Sequence, residues 1–324
     1  MDAVAALLSG QHGQGAFVLR SVLADPWSIQ LDDRSPLSVM AVIPGTTCLA
    51  VDGGADYRLD AGDCALLTSQ STFRIGDELG SPVLARIGPG QVCTKPDGSP
   101  LSDFRDLGVR SWGNTTDEQA RTVLLTGSYG TPGDVGATLL TALPPAIVAP
   151  AAAVPSTVRT LVDLLAAESS RDAPGQGAVL DRLVDVLTVA VLRWYLTGPA
   201  APRWFSASGD PVVGVALRCI HHEPARPWTV ATLAAEALVS RAVLARRFHE
   251  LVGQPPMTYL AGWRLDVAAD LLARSDLTVE AVAAQVGYAS PFSFSTAFVR
   301  RFGHRPTVHR RRARAARAES VTAS

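Results

Sequence analysis

The sequence predicts an α+β protein: a β-rich N-terminal domain, barrel or sandwich, followed by an all-α C-terminal domain. Three observations carry this. Short apolar runs separated by Gly, Asp and Pro turns fill residues 1–130. Helical periodicity replaces them near residue 155. The last third then repeats itself at an offset near 50 residues.

The expected strands lie in the apolar runs 37–43, 48–51, 64–68, 83–87 and 122–126. Turn signals at Asp52-Gly53-Gly54, Asp60-Ala61-Gly62-Asp63 and Pro96-Asp97-Gly98 separate them. Residues 156–168 read as a short amphipathic helix, and Ala173-Pro174-Gly175 breaks it. A longer helix over 176–196 places Leu180, Val184, Leu187, Val191 and Trp194 in one coiled-coil-like seam. That seam has two readings, packing on its own β-domain or forming a dimer interface. Residues 198–211, punctuated by Gly and Pro, read as a linker. Seven helical pieces follow, at 211–222, 229–237, 240–252, 256–275, 278–286, 291–302 and 306–317. Thr229, Ser240 and Thr278 suit N-caps, and Pro291 and Pro306 suit first helical turns. The tail after Arg317 is expected to be unstructured. The domain plan is therefore 1–150, a helical dimerisation segment over 151–198, a linker over 199–210, and a helical domain over 211–317.

The net charge of −1 hides an asymmetry. Residues 213–324 carry 15 Arg against 8 acidic residues, whereas residues 1–212 carry 14 basic against 22 acidic. A basic end on an acidic body implies a polyanion partner for the basic end alone. Lys95 is the only lysine, and arginine forks onto phosphate or guanine as lysine cannot. The four cysteines, Cys48, Cys64, Cys93 and Cys219, form no CxxC pair, which excludes the usual zinc clamps and thioredoxin motifs. The start Met1-Asp2-Ala3-Val4 lacks a signal peptide's basic n-region, and Pro144, Pro145 and Pro150 break the longest apolar stretch. The expected setting is a reduced cytoplasm, with no membrane span.

The repeat is the most informative feature. Leu233-Ala234 recurs as Val282-Ala283, and after one extra turn residue Ser240, Leu244 and Phe248 recur as Ser290, Phe294 and Phe298. Gly253 and Pro256 recur as Gly303 and Pro306. Each copy has the layout of a helix-turn-helix. Gly287 suits the second turn; Leu238 in the first is the weak point of the match. With Leu244, Phe248 and Leu251 inward, Arg241, Ala242, Ala245, Arg246 and His249 face outward. With Phe294, Phe298 and Phe302 inward, Phe292, Ser293, Ser295, Thr296, Val299 and Arg300 lie outward or at the flank. These outward sets are the candidate base readers of double-stranded DNA. Ser240 and Ser290, at the helix starts, are candidate phosphate contacts, as is Arg310 in the run Arg310-Arg311-Arg312. The intervening helix, about 30 Å long at ~1.5 Å per residue, matches roughly one ~34 Å turn of B-DNA.

These residues carry a family resemblance. Trp228-Thr229-Val230, Gly253…Pro256…Tyr259-Leu260…Trp263-Arg264-Leu265 and Val286-Gly287-Tyr288…Phe298…Phe302-Gly303…Pro306 resemble the AraC family DNA-binding domain. Met1-Asp2-Ala3-Val4, Pro26-Trp27, Gly62-Asp63, Gly127-Ser128-Tyr129 and Leu143-Pro144 resemble the cupin-type sensor of one AraC subgroup. The resemblance implies an N-terminal cupin-like β-barrel with a helical dimerisation segment and a C-terminal duplicated helix-turn-helix domain. It implies a homodimer that engages DNA and RNA polymerase under control of a small effector. The second copy departs from the family by carrying Thr296 where arginine is frequent and Pro291-Phe292 where polar readers are usual, so it is expected to grip the backbone more than read bases.

A cupin invites the alternative of a cupin enzyme with an appended DNA-binding domain. Many cupins hold a metal through clustered histidines, but only His12 precedes residue 221 here. Asp52, Asp56 and Asp60 sit among glycines, where aspartate commonly forms turns. No metal, cofactor or catalytic set is therefore expected. Candidate effector contacts are Trp27 and Phe73, each also readable as plain core. Cys48, Cys64 and Cys93 are candidate redox sensors or inert buried thiols, with Lys95 two residues beyond Cys93.

Overall fold

The computed structural model describes residues 17–108, 110–116, 119–129, 140, 143–171 and 173–322. Met1–Val4 and His12 lie outside the described residues. The chain divides into two compact units, one ending at Gly198 and one beginning at Pro199.

The first unit is built on thirteen described strands. They are β1 Phe17–Leu23, β2 Ser28–Leu31, β3 Leu37–Val42, β4 Thr46–Val51, β5 Asp56–Asp60, β6 Cys64–Thr68 and β7 Phe73–Gly76. The rest are β8 Ala85–Gly88, β9 Val92–Thr94, β10 Arg105–Gly108, β11 Ser111–Gly113, β12 Thr122–Tyr129 and β13 Ala146–Ala149. One sheet has the order β10-β11-β1-β12-β3-β6-β13, the other β5-β4-β7-β2-β8-β9. Leu23, Met40 and Leu124 from the first meet Ile29, Leu49 and Ile75 from the second in one core. All five expected apolar runs are strands. Seven of the other eight are short, and β10 is exposed along its whole length; the exception is the seven-residue, largely apolar β1, which the sequence reading passed over.

Helices α1 Ser156–Ser169 and α2 Gln176–Thr197 pack on each other, and α2 lies against β1, β6 and β13. This settles the seam. Leu180, Val184, Leu187 and Val191 are buried inside the unit and Trp194 is half-buried, so the seam packs on its own β-domain, and residues 140–198 fall in the same compact unit as the strands. The physical reason is that the outer face of the first sheet is itself apolar and needs a cover. Polar ties reinforce the packing. The Tyr129 hydroxyl donates to Thr188 Oγ1 at 2.8 Å, and Arg110 donates to the Asp181 carboxylate and the Gly177 carbonyl.

The second unit is all helical: α3 Arg203–Gly209, α4 Val213–His222, α5 Val230–Glu236, α6 Arg241–Val252, α7 Pro256–Arg274, α8 Val279–Gln285, α9 Pro291–Phe302 and α10 Pro306–Thr322. Two expectations are corrected. The linker over 199–210 contains α3, whose Ala207 is fully buried, and Asp210 accepts the amides of Val212 and Val213 at 2.9 Å to start α4. The tail beyond Arg317 continues as helix to Thr322.

Candidate functional site

Helices α5–α6 and α8–α9 are the two helix-turn-helix copies. All four helices are capped by the hydroxyl that precedes them. Thr229 accepts from the Thr232 amide, Ser240 from Val243, Thr278 from Ala281 and Ser290 from Ser293. Ser240 and Ser290 are thus caps first. The Ser290 hydroxyl also donates to Ser293 Oγ at 3.1 Å, which leaves Ser240 the freer of the two for a phosphate.

The turn of copy one takes the same path as that of copy two. Leu238 holds φ +55° and Gly287 φ +84°, the same left-handed conformation. Leu238 bears the local strain of an L-residue there, but its side chain stands in solvent, 92% exposed, and meets no neighbour in the fold. Gly287 has no such freedom: a Cβ there would lie 2.6 Å from the Ala225 carbonyl oxygen. The same loop receives Arg264 from α7, which donates to the carbonyls of Pro224 at 2.6 Å and Arg226 at 2.8 Å. Copy two is thereby joined to the entrance of copy one.

The second helices, α6 and α9, match in burial position by position over 241–250 and 291–300. Leu244 and Phe248 are buried in one, Phe294 and Phe298 in the other. Arg241, Ala242, Arg246 and His249 are exposed on α6, with Ala245 half-buried. Phe292, Ser293, Thr296, Val299 and Arg300 are exposed on α9, with Ser295 half-buried. Arg246 pairs only with Glu250, one turn on, at 3.0 Å, an exposed contact that solvent screens heavily. A bidentate arginine–aspartate pair fastens each helix from behind. Arg247 forks onto Asp210 through Nε at 2.9 Å and Nη2 at 2.6 Å. Arg301 forks onto Asp266 of α7 through Nε and Nη2, both at 2.7 Å. Burial alone would raise the Asp210 carboxyl, but the Arg247 fork and two backbone amides outweigh it and hold the group below the usual carboxylate range. Sequence reading missed both fastenings, since no local spacing links residues 35 or 37 positions apart.

Arg310 is not placed as a phosphate contact. It is half-buried, and its guanidinium donates to the carbonyls of Leu272 and Leu277 at the end of α7. Leu272 lies in the last turn of α7, where carbonyls lack helical partners, and Leu277 in the loop just beyond it. Arg305, Arg311, Arg312 and Arg314 are exposed here, and Arg314 pairs with Asp276.

The β-unit holds a cavity of about 650 Å³ between its sheets. Its floor is apolar, with Leu19, Leu67, Phe73 and Ile75, while Ser21, Ser38, Thr126 and Ser128 bring hydroxyls from the first sheet. Ser38 lies opposite Ser128 in the β3–β12 ladder and donates to it at 3.2 Å; Trp112 Nε1 donates to Ser21 Oγ at 2.7 Å. Asp32, Asp33 and Asp52 stand at the rim against Arg34 alone. Of the expected effector contacts only Phe73 lines this space. Trp27 is fully buried core. Cys48, Cys64 and Cys93 lie elsewhere. Burial, helped by Asp63, pushes the Cys64 thiol up to about 12, and burial also raises Cys93, so neither favours the reactive thiolate. Lys95 is paired with Asp103 at 3.4 Å. Among the described residues no group of three His, Cys, Asp or Glu side chains could hold a metal, and no helix is long and apolar enough to cross a membrane.

Comparison with known proteins adds the following. A cupin family model, Cupin_6, matches residues 2–197, and a helix-turn-helix domain model, HTH_18, matches 233–312. An AraC-like transcription regulator of Streptomyces lividans is 34% identical over 293 residues, covering 88% of this chain and 90% of its own length. The regulator AlkR of Acinetobacter baylyi is 26% identical, covering 96% of this chain and 99% of its own. Among solved structures, the DNA-binding domain of AdpA in complex with a target DNA is 36% identical, covers 34% of this chain and 97% of its own, and superposes with a TM-score of 0.32.

Proposed function

The chain belongs to the AraC-like transcription regulators with a Cupin_6 N-terminal domain, and from that membership we propose how its parts divide the work. Copy one carries the hydrogen-bonded reading of double-stranded DNA. The observation behind this is Arg246, exposed at the centre of the outward stripe of α6, with Arg241 nearer the helix start. An arginine so placed forks onto O6 and N7 of a guanine, and its exposed pair with Glu250 is readily given up. The effector is a small molecule held in the cavity between the sheets, with an apolar body on the floor and an uncharged or cationic polar end at the hydroxyls and acidic rim. The regulator works as a homodimer in the cytoplasm, where it meets DNA and RNA polymerase. The dimer forms through the outer face of α2, where Val179, Leu183, Val186 and Ala190 recur at steps of 4, 3 and 4 and Val179 and Val186 are exposed. The alternative of a cupin enzyme finds no favouring observation.

Titrations of the full chain on its selected site and on scrambled DNA test the reading. Arg246→Ala should cost roughly 1–3 kcal/mol on the specific site and much less on the scrambled one. Arg310→Ala should leave the charge-driven part of binding nearly intact and lower the melting temperature instead, because its partners are carbonyls. Equal losses on both duplexes for Arg246→Ala would show that α6 does not read bases. For the cavity, Ser38→Phe should fill the space and abolish effector response while DNA affinity persists. A response that survives would place the effector elsewhere.

A further inference from the structure

The outward stripes of the two recognition helices occupy equivalent positions but carry opposite chemistry. On α6 the stripe is Ala242, Arg246 and His249; on α9, at the same steps, it is Phe292, Thr296 and Val299. At 100° per residue each triplet lies within about 60° of helix circumference. Phe292 is 82% exposed and Val299 39%. Thr296 adds a methyl rather than a hydroxyl, because its Oγ1 donates to the Phe292 carbonyl of its own helix at 3.1 Å. Exposed Ser293 likewise spends its hydroxyl proton on its own helix end, donating to the Ser290 carbonyl at 2.9 Å. What α9 shows the outside is therefore an apolar ridge in a unit with a strong excess of arginine.

A lone exposed apolar residue means little, but Phe292, the Thr296 methyl and Val299 form one continuous apolar strip, the kind of surface that marks a contact. Three things on the helix indicate which. The ridge lies at the register where α6 places Arg246. It is flanked by Arg300 and followed by Arg305, cations suited to phosphates on either side of a groove. The only apolar group that a base pair presents in the major groove is the thymine C5-methyl.

Resting on the DNA-binding reading above, we propose that copy two reads DNA through thymine methyl groups, with Phe292 as the principal contact and the Thr296 methyl and Val299 beside it. This replaces the expectation that copy two mainly grips the backbone. Specificity is then divided: copy one selects guanine by hydrogen bonds, copy two selects thymine over cytosine by the methyl alone.

The test separates this from the parent reading. Sites are selected from a random duplex library with the full-length protein, and each thymine is replaced in turn by uracil, which keeps pairing and O4 but lacks the methyl. Wild-type protein should lose about fourfold in affinity for each contacted methyl, the value of one buried carbon. Phe292→Ala should lose a similar factor on thymine DNA and be indifferent to uracil at that position. Phe292→Leu should keep part of the preference. Placing 5-methylcytosine where cytosine had been substituted for that thymine should restore part of the affinity. Indifference of the wild type to every uracil, or unchanged methyl dependence in Phe292→Ala, would overturn the inference while leaving DNA recognition standing. Recovery of no preferred sequence at all would overturn the DNA-binding reading and this inference with it.

Discussion

Leu187→Asp should prevent the N-terminal unit from folding, and Val186→Glu, one residue away, should leave its stability nearly unchanged. Leu187 is 1% exposed beneath α2, so the variant loses the apolar burial and inserts a charge with no partner. A cost above about 4 kcal/mol is of the order of a whole domain's stability. The expected readout in calorimetry is loss of one of two melting transitions, with aggregation. Val186 is half exposed, so its glutamate stays in water. If the outer face of α2 forms the dimer, Val186→Glu should melt like wild type and sediment at half the mass. A dimer that survives Val186→Glu would move the interface elsewhere, and a folded Leu187→Asp would contradict the placement of the seam.

Asp266→Ala should be the most damaging single change in the DNA-binding unit. Asp266 is 4% exposed on α7 and is held by both ends of the Arg301 fork. Removing one partner of a buried pair costs about 3–5 kcal/mol. The lower end is expected, since Arg301 keeps a third of its side chain in water. About 3 kcal/mol lowers the melting temperature of a domain this small by roughly 12 °C or more. Specific DNA affinity should fall as well, because α9 loses its fastening to α7. The double change Asp266→Leu, Arg301→Met should recover much of the stability, as apolar replacements of buried pairs commonly do. An Asp266→Ala melting curve identical to wild type would show that the pair does no structural work.

The contrast between these residues explains what the sequence could and could not reveal. Leu244, Phe248, Phe294 and Phe298 were legible because helix burial follows a short period, and a duplication displays it twice. Leu187 was legible as buried, but not what buries it. A helical period identifies a face and says nothing of its partner. The cavity was less visible still. Ser38, Thr126 and Ser128 look like ordinary interruptions of apolar runs until strand register sets Ser38 opposite Ser128 and Leu19 opposite Thr126. Their alternation within β3 and β12 was the available signal, and its meaning depends on pairing across 90 residues. Arg310 misled because charge runs suggest solvent, while a helix end a few ångströms away offered unpaired carbonyls.

Strand β12 has two neighbours at once. Thr126 and Ser128 point into the cavity, and the next residue, Tyr129, turns to the opposite face and holds Thr188 of α2. Successive side chains of a strand point to opposite faces, so one backbone displacement there is felt on both sides of the sheet. If the cavity holds the effector, as proposed, a ligand pressing on Ser128 bears on the backbone that also carries the Tyr129 ring, packed beneath the helix with the Val186 ridge. On the proposed reading, the ligand site and the dimer face are joined through one peptide unit and the Tyr129–Thr188 hydrogen bond.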